Sequence, residues 1–153
     1  MGSAAVEIKL QEIDRLAHKL NEFVMSGGDK ERLLNSLGEL IEEQQIKERI
    51  DITKCNPEGR KWDPWKESTE KYMRKYFPKA SLLYRDPAEG LLGSIEHQMK
   101  GSDTILVGST REYASYLQEG TKKMAARKFL GFGADDITAL QDAVDEFMRE
   151  QTA

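Results

Sequence analysis

An α+β protein is what this sequence predicts. Apolar residues recur at helical spacing at both ends of the chain, two β-permissive segments flank a polar Gly-containing turn in the second half, and the elements run α, α, connector, β, β, α, loop, α. With 153 residues, 39% of them hydrophobic and 33% charged, the chain is about one domain long and can fill one core. The expected organisation is a single domain, 1–153, made of a helical hairpin (1–50) and an α+β core (51–153).

The first element rests on Val6, Leu10, Ile13, Ala17, Leu20 and Val24, spaced alternately by four and three, with Leu16 and Phe23 widening the stripe. That periodicity predicts an amphipathic helix ending at Ser26-Gly27-Gly28. Asp29 can cap a second helix, whose stripe is Leu33, Leu34, Leu37, Leu40 and Ile41. A short glycine link between two such helices predicts an antiparallel pair. The second stripe fades at Gln44 and Gln45, so this helix is expected to leave the core before Ile50.

Between Lys54 and Pro78 the character changes. Asn56-Pro57-Glu58-Gly59 is a turn signal, Trp62 and Trp65 bracket Asp63-Pro64, and residues 68–76 are helix-permissive. Segments 91–99 and 104–108 around Lys100-Gly101-Ser102-Asp103 predict a hairpin, the centre of a small antiparallel sheet with an edge segment. Tyr113, Ala114, Tyr116 and Leu117 sit at helical spacing before a stop at Gly120. Asp135 can cap a C-terminal helix with the stripe Ile137, Leu140, Val144 and Phe147.

Charge is segregated. The net charge is −4, yet residues 58–79 carry +3 and residues 121–130 carry +4, against −3 for residues 1–50 and −5 for residues 133–153. Such a dipolar chain can pack its blocks against one another or associate head to tail with copies of itself. The overall acidity argues against a general nucleic-acid binder. The basic stretch 121–128, with Lys122, Lys123, Arg127 and Lys128, nevertheless leaves a nucleic-acid-binding adaptor as the alternative reading. No window approaches the roughly 18–20 apolar residues that span a bilayer, and the N-terminus lacks the apolar core of a signal peptide, so synthesis in a reducing cytoplasm is expected.

Catalytic chemistry finds little support. Cys55 stands alone, and His18 and His97 are the only histidines, so neither a disulfide nor the usual Cys/His zinc spacing is available. Both histidines read as structural or surface residues and Cys55 as a bystander thiol. Adjacent carboxylates such as Asp135 and Asp136 diverge on a helix and make no metal cluster. No enzyme, metal or cofactor is expected. Trp62 and Trp65 read first as core anchors and second as an interaction hot spot. The basic stretch reads first as a loop that contacts an acidic partner.

Several short motifs then fall in a recognisable order: Asn56-Pro57-Glu58-Gly59, Trp62-Asp63-Pro64-Trp65, Ser68-Thr69, Gly90-Leu91-Leu92-Gly93-Ser94-Ile95, Val107-Gly108-Ser109, Tyr113-Ala114, Gln118-Glu119-Gly120, and Ala126-Arg127-Lys128-Phe129-Leu130-Gly131 before Asp135-Asp136. Their order and spacing, over roughly residues 34–147, resemble the virion morphogenesis, or tail completion, family of tailed bacteriophages and Mu-like prophages. The chain departs from that pattern where Asp86-Pro87-Ala88-Glu89 replaces a threonine-glycine turn and where Lys128 replaces a proline. The resemblance implies a non-enzymatic structural protein of the virion, in its tail or neck, assembled in the host bacterial cytoplasm. It implies action in tail completion and head-tail joining, as a homo-oligomeric ring docking to tail terminator, tail tube, neck or connector proteins, with DNA met only in the ring lumen. The partner-binding candidates are Lys122, Lys123, Arg127, Lys128, Trp62 and Trp65. Loop 120–126, poor in apolar anchors, is expected to order on assembly.

Overall fold

The structure, a computed structural model, describes residues 4–9, 27–85, 90–101 and 104–152. Its elements are β1 (Ala4–Lys9), α1 (Gly27–Leu40), α2 (Glu67–Tyr76), β2 (Ile95–Lys100), β3 (Thr104–Ser109), α3 (Ala114–Glu119) and α4 (Ala134–Thr152). The fold is α+β, with an antiparallel sheet of order β1-β3-β2.

The hairpin is where the sequence places it. In β2, Ile95, His97 and Met99 are at least partly buried and Glu96, Gln98 and Lys100 are exposed, the alternation of a strand with one solvated face. Central β3 is buried along nearly its whole length. The turn residues Ser102 and Asp103 lie outside the described residues.

The N-terminus corrects the expectation of a helix from Val6. Residues 4–9 form a strand, antiparallel to β3, with Val6 opposite Val107 and Ile8 opposite Ile105. The local reason is visible in Val6-Glu7-Ile8-Lys9, where β-branched and charged residues alternate with period two, a pattern the longer helical periodicity masks. The remainder of that expected helix, residues 10–26, lies outside the described residues.

A second correction concerns the end of the next helix, which does not leave the core. Beyond Leu40 the chain continues as π-helical turns, Ile41–Ile46 and Arg49–Thr53. A π turn takes up one residue more than an α turn. The buried series Leu37, Ile41, Ile46, Ile50 accordingly steps by four, five and four, and Gln44 points to solvent although an α-helical period would bring it toward the core. Lys54, in the left-handed conformation, ends the run with its N–H bonded to the Arg49 carbonyl. Gly38 lets α1 approach the sheet, because a Cβ there would stand 2.9 Å from His97 Cδ2 and 3.0 Å from Ile105 Cγ1.

The core joins Leu33, Leu34, Leu37, Ile41, Ile46 and Ile50 to Ile95, Ile105, Val107, Trp62, Phe129, Leu140 and Val144. The start of α4 is closed by Asp136, not Asp135: its Oδ2 accepts from the Gly133 N–H at 2.8 Å, the reach-back half of a capping box.

Candidate partner-binding surface

Residues 126–133 form a strap across the body, and nearly every polar side chain around it bonds to backbone. Trp62 is buried and its Nε1–H donates to the Lys128 carbonyl at 2.8 Å, which fixes its indole in the core. Gln118 bridges two residues of the strap: its Oε1 accepts from the N–H groups of Phe129 and Leu130 at 3.0 Å each, and its Nε2 donates to the Leu130 carbonyl at 3.2 Å. Arg49, also buried, donates to the carbonyls of Phe129 (2.8 Å) and Gly131 (3.0 Å) and forms an ion pair with Asp136. Burial pulls the Arg49 guanidinium below its ordinary pKa, and the Asp136 carboxylate opposes that shift. Gln45 donates to the Asp136 carbonyl at 3.1 Å.

Upstream, Ser94 and Ser109 form a buried relay. Ser94 Oγ donates to the Leu91 carbonyl (2.6 Å), which leaves Ser109 Oγ to donate to Ser94 Oγ (2.6 Å) while accepting from the Arg111 N–H (3.1 Å). This relay ties the start of β2 to the end of β3 and sets the direction in which the chain enters α3.

Ahead of the strap, residues 121–124 close a tight turn. Thr121 and Met124 exchange backbone hydrogen bonds of 2.9 and 3.3 Å, Thr121 Oγ1 accepts from the Lys123 N–H at 3.2 Å, and Lys66 Nζ donates to the Lys123 carbonyl at 3.0 Å. The loop expected to lack anchors is thus bonded through its backbone, with Lys122 and Lys123 exposed at its tip. Gly120 makes the geometry possible: its φ is +79°, and a Cβ would stand 2.7 Å from the Ala126 nitrogen.

The partner-binding candidates from the sequence therefore separate. Arg127 is buried, with Nε donating to the Asp63 carbonyl (2.9 Å) and Nη2 to the Pro64 carbonyl (3.1 Å), so it is a structural cation and not part of an exposed basic patch. Burial lowers its pKa, against the attraction of Asp63. Lys122, Lys123 and Lys128 are exposed. Trp65, half-buried, lines an open cleft of about 800 Å³ together with Lys123, Met124, Met73, Leu83 and Arg85. The cleft unites Trp65, Lys123 and Arg127 on its walls and does not include Trp62, Lys122 or Lys128.

Sequence reasoning overlooked Arg49, Gln45 and Gln118 as organisers of this surface. Gln45 and Arg49 did carry a signal: polar residues interleaved with Ile46 and Ile50 imply buried polar partners if the helix stays in the core. Cys55 lies in the connector, its thiol 3.1 Å from the Thr53 carbonyl, and His97 Nδ1 faces Glu42 Oε2 at 3.4 Å. Among the described residues no three His, Cys, Asp or Glu side chains gather to hold a metal, and no helix is long and apolar enough to cross a membrane.

The residues that build the strap are in large part those of the motif series, and the family comparison matches them. The model of the phage virion morphogenesis family matches residues 8–149. The chain belongs to that family. A relative within reach of this phage virion morphogenesis chain is the Mu-like prophage FluMu G protein 1 of Haemophilus influenzae, 29% identical over 109 residues, which cover 71% of this chain and 73% of the relative. No solved structure matches this family member. Membership assigns it a structural or assembly role in the phage virion and implies interaction with other virion proteins.

Proposed function

We propose that this protein acts in tail completion and head-tail joining by docking to neighbouring virion proteins of the tail or neck, as a homo-oligomeric ring and without catalysis. The observation that carries the reading is the strap and its turn. Arg49, Trp62, Gln118 and Arg127 all bond to backbone of their own chain, which fixes the strap behind a tight turn with two exposed lysines at its tip. Groups arranged in this way support a contact surface. The natural contacts for the tip are carboxylates of a tail terminator, tail tube, neck or connector protein. Exposed ion pairs contribute only about 0.2–1 kcal/mol each, so the tip acts on assembly and not on folding.

A phage carrying Lys122→Glu and Lys123→Glu tests this. The purified double variant should melt as the wild type does, while electron microscopy of lysates should find heads and tails unjoined. Joining at the normal rate would falsify the docking role of the tip. Salt-dependent binding of DNA by the wild type, lost in the double variant, would favour the nucleic-acid adaptor instead, although Arg127, engaged with Asp63 and Pro64, adds little charge to that surface.

A further inference from the structure

Helix α2 is amphipathic, yet none of its residues is buried. Tyr72 and Tyr76 are each 55% exposed and lean on one another with ring centroids 4.9 Å apart. Lys71, Arg74 and Lys75 surround them, all exposed. The intrahelical pairs Lys71–Glu67 (3.5 Å) and Arg74–Glu70 (3.7 Å) offset part of this charge and leave the helix with three cations against two carboxylates. A helix of 10 residues is marginal by itself, since isolated helices below roughly 12–15 residues rarely persist in water. This aromatic, cationic face of a short helix is open to packing from outside.

The complementary surface is on the same chain. Between α1 and α4 lies a cleft of about 420 Å³ with Leu40 and Phe147 on its floor and Glu39, Glu43, Glu146 and Glu150 on its rim. Lys47 binds Glu43 at 2.8 Å and the Arg32 guanidinium lies 5.4 Å from the centre of the Phe147 ring, so the rim stays acidic mainly through the other three carboxylates. The α1–α4 cleft contains no residue of α2 and shares no lining residue with the larger cleft beside Trp65. Cation and aromatic on one patch complement carboxylate and apolar floor on the other.

We infer that α2 of one copy docks in the α1–α4 cleft of the next copy, seating Tyr72 and Tyr76 over Leu40 and Phe147 and setting Lys71, Arg74 and Lys75 against the rim carboxylates. This rests on the ring reading above and names the surfaces that join neighbours. Because the two patches are different, the contact is head to tail, and repetition closes a ring when the rotation between copies permits.

Two variants test it, both at exposed positions. One carries Lys71→Glu and Lys75→Glu; the other carries Glu39→Lys and Glu146→Lys. Each alone sets like charge against like charge. In a mixture every contact becomes complementary again, since the acidic helix meets the basic cleft and the native helix meets the native cleft. By sedimentation velocity at low salt, each variant alone should self-associate at least about tenfold more weakly than wild type, and the equimolar mixture should recover association. Tyr72→Ser with Tyr76→Ser should weaken association likewise with an unchanged melting curve, which guards against a charge variant that fails to fold. A wild type that stays monomeric at every concentration, variants that associate as wild type does, or a mixture no better than its components overturns the docking. The joining function is decided separately: unjoined particles from the Lys122→Glu, Lys123→Glu phage uphold it even where the α2 contact fails.

Discussion

Trp62 shows how one side chain can serve the core and the surface at once. Its ring belongs to the core cluster while its Nε1–H holds the Lys128 carbonyl of the strap. Trp62→Ala should cost about 3–5 kcal/mol in a denaturant melt, the range for emptying a buried aromatic site. Trp62→Phe should cost about 1–3 kcal/mol, chiefly because it leaves the Lys128 carbonyl without its donor. Lys54 supplies a prediction in pH. Its ammonium donates to the carbonyls of Ile50 and Leu82 in a partly buried position, and desolvation lowers its pKa from 10.5 to about 8, against the attraction of Asp51. Between about pH 8 and 10.5 the unfolded chain therefore binds more protons at this site than the folded one, and the site's contribution to stability rises with pH across that window. Denaturant midpoints measured from pH 7.5 to 10.5 should climb relative to those of Lys54→Met, which lacks the titrating group.

At the level of elements, α1 and the sheet are separated by little more than backbone at Gly38. Alanine is the better helix former by roughly 0.5–1 kcal/mol, whereas forcing a methyl group into a packed contact costs about 1–3 kcal/mol. With Cβ positions of 2.9 and 3.0 Å to His97 and Ile105, the clash should win, and Gly38→Ala should melt at lower temperature than wild type. The elements also separate what the sequence makes legible from what it does not. The hairpin, the helix after Tyr113 and the C-terminal helix follow from period and turn chemistry that act locally. The strand at Ala4–Lys9 does not, because its partner is about a hundred residues away and the same residues fit the start of a helical stripe. At Gln45 a single extra residue per turn changed the phase of the pattern, and no period of 3.6 could have found it. The surface divides in the same manner: the exposure of Lys122 and Lys123 agrees with their polar surroundings, but the burial of Arg127 depends on the carbonyls of Asp63 and Pro64, brought near only by the folded chain.

For the whole molecule, the connections run between regions far apart in sequence. Arg49 and Gln45 tie the π-helical run to the strap and α4, Trp62 ties the connector to the strap, and the core cluster draws side chains from α1, β2, β3 and α4. The helical hairpin and α+β core expected from the sequence would then have no separate stability. Heat or denaturant should unfold the protein in one transition, with coincident curves from far-UV circular dichroism and from tryptophan fluorescence. Two resolved steps would instead divide it into independent units.

The wide turn at Ile41–Ile46 also bears on the lengths this chain can adopt. A π turn inside a helix is equivalent to an α-helix with one residue inserted, so removing a residue there returns the ladder to ordinary geometry. Deleting exposed Gln44 would shorten the step from Ile41 to Ile46 from five residues to four and keep Ile46, Arg49 and Ile50 on the buried side. Deleting exposed Ser36 from the α-helical turns would swing every later side chain by about 100° and carry those same residues toward solvent. The first deletion should yield a folded protein with a cooperative melt and the second should not. This stretch is therefore a place where the gene can lose a codon and keep the fold, and relatives differing in length by one residue should have their gap here.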